Sequence, residues 1–411
     1  MRVVLVSHCH PETLHVCATR MREFAHALTK RGHEVILFTE NLAGQPTDIF
    51  PDQAARAIQD HNFSTPLFLA SEPKGYPLIK KLRAQTLPWG LRQAVVVWYY
   101  FQHFGVFTDW RTGSQLYITT IAEHFEPDII WATFGNTDCW NIARDLARAA
   151  KCPWIADAKD PWETFIPAIF RNYLANCFSD SAAMTAFSQF HASDVQKYFG
   201  KQAAVLYSGF SVAQIAPSST PNPDEITVSL TGAIYDQQAL RQLIQGIRSW
   251  LMELPEEKRT NVCLIYAGQD SDEVATATAD LLKICRIDIK RFIPFEELRQ
   301  IHRHAIANIY IKCNRTFHHK TIEMLSAGRP LICYPQETEE AIEIARSTSV
   351  PLLSCDSPEQ IPEALDQSLN IGQIGVEEDG GLKELTWESQ ASKLEEIFLN
   401  AMKQTNGEAN A

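Results

Sequence analysis

The chain has 411 residues, a length that at about 150 residues per domain points to two large domains or three small ones. With 45% hydrophobic and 21% charged residues, its composition excludes a disordered or low-complexity chain. The 37 Lys and Arg against 49 Asp and Glu leave a formal charge of −12, which excludes wrapping nucleic acid through its phosphates unless a local basic patch provides for it.

Residues 3–6 (VVLV) form a β-branched apolar run that fits a strand buried on both faces of a parallel sheet. Met21, Phe24, Ala25 and Leu28 then share one helical face, and Gly32 stops that helix. With a second strand at 35–38 this is a βαβ unit whose crossover is expected to be right-handed. After a long irregular stretch the pattern predicts a helix over 117–125, a strand at 129–132 and a helix over 140–150. Strands are expected at 154–156, 183–187 and 204–207. Residues 211–225, with three Pro and three Ser, read as a linker. Beyond it come a strand at 226–230 closed by Gly232, a helix over 240–251, and strands at 262–267, 307–311 and 331–334. Leu394, Ile397, Phe398 and Met402 predict a last amphipathic helix able to pack on either domain. The expected architecture is α/β, with two Rossmann-like doubly wound domains over 1–211 and 226–385. A linker over 212–225 would join them, and a helix and tail would occupy 386–411.

The ten Cys form no CxxC pair, as expected of reduced cytosolic thiols. The opening MRVVLVSHCH lacks the features of a secretory leader, and no run of eighteen apolar residues occurs, so a soluble cytoplasmic protein is expected. The turn 7–13 follows the first strand, where open α/β sheets gather ligands, but without GxGxxG it argues against a NAD enzyme. His8, His10, His15 and Cys17 match no usual zinc spacing, so no metal is expected, and these read as polar loop residues near a ligand. Asp157, Lys159 and Asp160 stand at a strand end, where they suit sugar hydroxyls or a proton transfer. Asp160 equally fits an N-cap, with Pro161 at the first helical position. Lys320 and Glu323 share one face of a short helix ended by Gly328. There the cation suits a phosphate and the carboxylate a ribose diol, the alternative being a surface ion pair. Residues 73–108 contain no Asp or Glu, but carry Lys74, Lys80, Lys81, Arg83 and Arg92 among eight Trp, Tyr and Phe residues. That segment suits an anionic membrane face or a core helix with solvated flanks.

Together these segments resemble family 4 glycosyltransferases of the GT-B fold. The resemblance runs through Pro11, Arg20, RGHEVILFT (31–39), PDIIWAT (127–133), ADAKDPW (156–162), YSGF (207–210), LTGAIY (230–235), RFIPFEEL (291–298) and KTIEMLSAGRPLI (320–332). It implies two Rossmann-like domains facing across a cleft, donor held by the C-terminal one and acceptor by the N-terminal one. By the same resemblance Glu323 meets the donor ribose, Gly232 lies at the diphosphate loop, and Ile293 and Pro294 meet the base. The leaving diphosphate is stabilised without a metal or cofactor, and the anomeric configuration is retained.

Four features depart from the family pattern. Arg315 replaces the first Glu of the usual pair, the turn after Gly232 lacks a Lys or Arg, Lys159-Asp160 stands for a frequent His-Asp, and the N-terminal Gly-Gly is missing. The expected catalytic groups are therefore Asp160, Lys320 and Arg315, with Gly232, Ile293, Pro294, Lys320 and Glu323 on the donor and His8, His10 and Lys159 on the acceptor side. The expected partners are a nucleotide sugar and a saccharide, lipid-linked or small acceptor, with peripheral membrane contact through 74–107 at the inner face. The alternatives are a GT-B sugar-nucleotide epimerase and a non-catalytic GT-B binding protein.

Overall fold

The computed structural model describes residues 1–45, 47, 49–212, 225–291, 293–312, 319–371 and 380–408. Arg315 and all but the two ends of the expected linker lie outside them. The chain divides into two compact units, Met1–Tyr207 with Trp387–Ala411, and Ser208–Thr386.

The first unit is built on seven parallel strands: β1 (Arg2–Ser7), β2 (Glu34–Glu40), β3 (Leu67–Ser71), β4 (Ile129–Thr133), β5 (Trp154–Ala158), β6 (Ala183–Ala186) and β7 (Ala203–Val205). Their spatial order is β3-β2-β1-β4-β5-β6-β7, with Val3 opposite both Val35 and Ile129. Alternation along the strands sends Val4, Val6, Ile36 and Phe38 into one core layer beside Trp110 and Trp140. Val3, Leu5, Val35 and Leu37 enter the other, beside Phe24 and Trp131. Both faces of β1 are thus buried, which is why its sequence is continuously apolar rather than alternating.

The helix Val16–Lys30 is capped by His15, whose side chain accepts from the Cys17 N–H, and ends before Gly32 at φ +86°. The C-terminal helix Trp387–Glu408 lays Trp387, Ala391, Leu394 and Phe398 into the same core layer as Phe24 and Met21. Its Glu395 Oε1 lies 2.9 Å from His33 Nε2. The amphipathic stripe at the end of the chain therefore belongs to the first unit.

The second unit holds β8 (Ile226–Thr231), β9 (Val262–Ala267), β10 (Arg286–Lys290), β11 (Ala307–Ile311), β12 (Leu331–Tyr334) and β13 (Leu352–Ser354), all parallel, in the order β10-β9-β8-β11-β12-β13. In both sheets the strand order reverses beside the first strand, between β1 and β4 and between β8 and β11. Ligands of open α/β sheets collect outside the carboxyl ends of the strands at that point. No helix among the described residues is long and apolar enough to cross a membrane.

Candidate active site

In the second unit β8 delivers Thr231 and Gly232 to the reversal point. Gly232 has φ +93°, and a Cβ placed on it would lie 3.1 Å from Lys320 Nζ. Glycine there serves the turn and lets the ammonium approach the main chain. Two groups pin the turn: Tyr266 OH donates to the Gly232 carbonyl at 2.9 Å, and Asp270 Oδ2 accepts from the Ile234 N–H at 2.7 Å. Asp236 Oδ1 accepts from the Gln238 and Ala239 N–H groups and so starts the helix Gln237–Glu253.

Lys320 and Glu323 both lie on the helix His319–Leu325. Lys320 Nζ also donates to the Ile311 carbonyl at 3.5 Å and stands 5.2 Å from the centre of the Tyr310 ring. Glu323 Oε1 lies 2.9 Å from His319 Nε2. Burial pushes the Glu323 carboxyl up, but the His319 charge and hydrogen bond outweigh it and hold the group below its ordinary value. Behind it, His302 Nε2 lies 3.2 Å from Thr231 Oγ1, and full burial pushes this imidazole down to about 4. His302 stays neutral at pH 7 and braces the end of β8. His319 stands four residues from Glu323, a local relation that sequence reasoning missed, whereas His302 had no local signal, since Thr231 is 71 residues away.

A cavity of about 610 Å³ at this sheet edge is lined by Asp236, Gln238, Arg241, Lys312 and Pro335 among others. Lys312 Nζ donates to the Gln336 carbonyl at 3.0 Å and lies 4.0 Å from Glu337. Arg241 and Lys312 thus add positive charge where the turn after Gly232 has none of its own. Ile293 and Pro294 follow β10, and Pro294 caps the helix Phe295–His304.

In the first unit His8 follows β1. A Cβ on Gly135, just past β4, would come within 1.7 Å of His8 Cε1, so glycine makes room for the imidazole at the reversal point. Burial holds His8 below its ordinary value. His10 points elsewhere, lining a cavity of about 310 Å³ with Pro11, Arg22, Thr39 and Phe68.

The expected trio at the end of β5 separates. Lys159 Nζ donates to Asp160 Oδ1 at 3.0 Å, and although burial opposes its charge, Asp160 raises the lysine above its ordinary value. Asp157 instead faces Arg20 in a fully buried pair, Nη2 to Oδ1 3.2 Å, and is no ligand group. The capping role considered for Asp160 also fails: Pro161 is itself the cap residue of the short helix Trp162–Phe165, which has no side-chain cap.

No family model and no curated protein matches the chain. Solved structures do. Sucrose-phosphate synthase from Thermosynechococcus elongatus aligns over 98% of this chain and 99% of its own at 12% identity, with a TM-score of 0.64. HepE of Anabaena, crystallised with UDP-glucose, aligns over 100% and 99% at 12% identity and a TM-score of 0.53. UDP-GlcNAc 2-epimerase from Methanocaldococcus jannaschii aligns over 97% and 100% at 11% identity and a TM-score of 0.51. Likenesses this distant in sequence show the fold, two Rossmann-like units of the GT-B type.

Proposed function

We propose that the chain is a retaining glycosyltransferase that moves a sugar from a nucleotide-sugar donor to an acceptor hydroxyl. The observation that carries this reading is Lys320 Nζ held over the Gly232 turn at the strand reversal, with Glu323 on the same short helix. In this reading Lys320, with Lys312 and Arg241, neutralises the leaving diphosphate, Glu323 accepts from the ribose hydroxyls, and the main chain at Ile293 and Pro294 meets the base. The bond from the anomeric carbon to the diphosphate oxygen breaks. The acceptor oxygen bonds on the same face, and the departing phosphate takes its proton. Asp160, held by Lys159, orients the acceptor hydroxyl, and His10 lines its approach. HepE crystallised with UDP-glucose supports a uridine donor as the first probe. The exposed aromatic face near residues 74–107 supports a lipid-linked acceptor reached at an anionic membrane.

The test is binding of nucleoside diphosphates followed by turnover. Glu323→Ala should weaken UDP binding by about 1–3 kcal/mol, the scale of a charged hydrogen bond. Lys320→Met should lower kcat and kcat/KM together, because its contact strengthens as the phosphate departs. Unchanged nucleotide affinity in a folded Glu323→Ala chain would remove the assignment. The full-length likeness to an epimerase supports a second reading, which incubation without acceptor separates. An epimerase would interconvert the nucleotide sugar there, a transferase would show at most slow hydrolysis, and a binding protein would leave every donor intact even with acceptor present.

A further inference from the structure

We propose that His8, Cys9 and Cys17 form a binding site for a thiolate-seeking divalent cation, zinc foremost, at the carboxyl end of β1. This goes beyond the glycosyl-transfer reading and does not depend on it. One ligating atom from each of the three residues lies within 4.8 Å of the others. Tetrahedral zinc, with Zn–S near 2.3 Å and Zn–N near 2.0–2.1 Å, needs separations of about 3.5–3.8 Å between ligand atoms. Closing the cluster by about 1 Å therefore brings the three ligand atoms to tetrahedral spacing. Two sulfurs and an imidazole form a donor set for zinc or a similar borderline-soft ion, and one that magnesium or calcium would not select.

The three ligands are held by elements rather than by a free loop. Cys9 sits in the turn where its N–H donates to Ser7 Oγ at 3.2 Å, Ser7 being the last residue of β1. Cys17 is the second residue of the helix Val16–Lys30, and its Sγ lies 3.6 Å from the same Ser7 hydroxyl. The His8 ring is seated against Gly135, its Nδ1 3.7 Å from Cys139 Sγ. Such outer contacts orient ligands and tune a metal. His15 Nδ1 lies 3.5 Å from Cys9 Sγ but is engaged as the helix cap by the Cys17 N–H, so a water would take the fourth position. Lys159 is the cation that would oppose a metal here, and Asp160 at 3.0 Å meets its charge. His8 is half-buried, which leaves an approach from solvent. The usual zinc spacings miss the site because two ligands are adjacent in sequence and the third comes from the start of a helix.

The full chain, reduced and stripped with chelator, would be titrated with Co²⁺ and then Zn²⁺. The expected result is one Co²⁺ per chain, with thiolate-to-cobalt absorption in the near ultraviolet, displaced by one Zn²⁺. Cys9→Ser and Cys17→Ser should abolish that absorption, while Cys177→Ser, a half-buried thiol elsewhere in the unit, should keep it. Should the cysteine variants fail to fold, Gly135→Ala leaves both thiols in place but forces the His8 ring away. It should weaken cobalt binding roughly ten-fold or more. The proposal is overturned if the wild type takes up no stoichiometric metal, if Cys17→Ser binds as the wild type does, or if Cys9 and Cys17 join in a disulfide that excess zinc does not prevent.

Discussion

Asp157 carried a functional expectation and Arg20 belonged to the resemblance, and both are completely inaccessible. The Arg20 Nη1 donates to the Leu206 carbonyl at 3.0 Å, Thr185 Oγ1 donates to Asp157 Oδ1 at 2.7 Å, and the guanidinium lies 5.0 Å from the centre of the Phe24 ring. The pair is a strut joining the first helix, β5, β6 and the segment after β7. Asp157→Ala leaves a buried guanidinium without its counter-charge and should destabilise the chain by about 3–5 kcal/mol. The Arg20→Met/Asp157→Leu double variant removes both charges and should recover most of that loss in chemical denaturation. Equal midpoints for single and double variants would show that the charge pairing is not what matters. The misreading has a physical origin. A carboxylate at a strand end looks the same along the chain whether it waits for a ligand or for an arginine 137 residues away. That Lys320 and Glu323 share a helix was legible because their relation is three residues long, whereas the place of His302 was not, because its partner Thr231 ends a strand 71 residues away.

At the scale of elements, the acid-free segment is in part the core helix that it suggested, and its solvated side leaves the membrane role as a proposal. The helix Trp89–His103 buries Val95, Tyr99 and Tyr100, with Tyr100 stacked on Phe170 at 4.2 Å. Its other face leaves Trp89 79%, Trp98 52% and Phe101 52% exposed. On the preceding helix Pro77–Arg83 the side chains of Lys80 and Lys81 are exposed, while Arg83 is engaged by Asp109 at 3.0 Å. If this face meets an anionic bilayer, Lys80→Ala/Lys81→Ala should weaken vesicle binding by about 1 kcal/mol per lysine, the effect fading at high salt. Trp98→Ser should weaken it at every salt concentration, since the indole is amphipathic rather than charged. Equal recovery of wild type and variants in the supernatant after co-sedimentation would mean a soluble acceptor. The strands that escaped sequence reading, β3, β10 and β13, are short and peripheral. β10 reads Arg-Ile-Asp-Ile-Lys and has no fully buried residue, so it offers no apolar run to detect.

At the scale of the whole molecule, alternating strands and helices sufficed to read two doubly wound sheets. The place of the last helix was not legible, because an amphipathic stripe states that a face will be buried and not against what. The two units also share a vulnerability to acid. Burial pushes His191 in the first unit and His302 in the second down to about 4. An unfolded histidine protonates near 6.5. As pH falls below 6.5, the unfolded chain takes up protons that the folded chain refuses, so stability present above 6.5 is lost toward pH 4. The loss is on the order of 3 kcal/mol for each imidazole. Asp138, pushed up to about 8 by burial, acts with the opposite sign and costs the first unit stability as pH rises. Burial raises Glu337 in the second unit in the same sense, so the histidine contribution is read by comparing two chains that differ only at His302. His302→Gln keeps a donor toward Thr231 and cannot titrate, and Glu323, whose carboxyl is held low, remains in both chains. Urea midpoints of wild type and His302→Gln, compared at pH 7 and pH 4.5, should shift in the variant's favour by nearly the full histidine contribution. A gap between the two chains that stays constant across that range would mean that His302 accepts its proton near the ordinary value despite its burial.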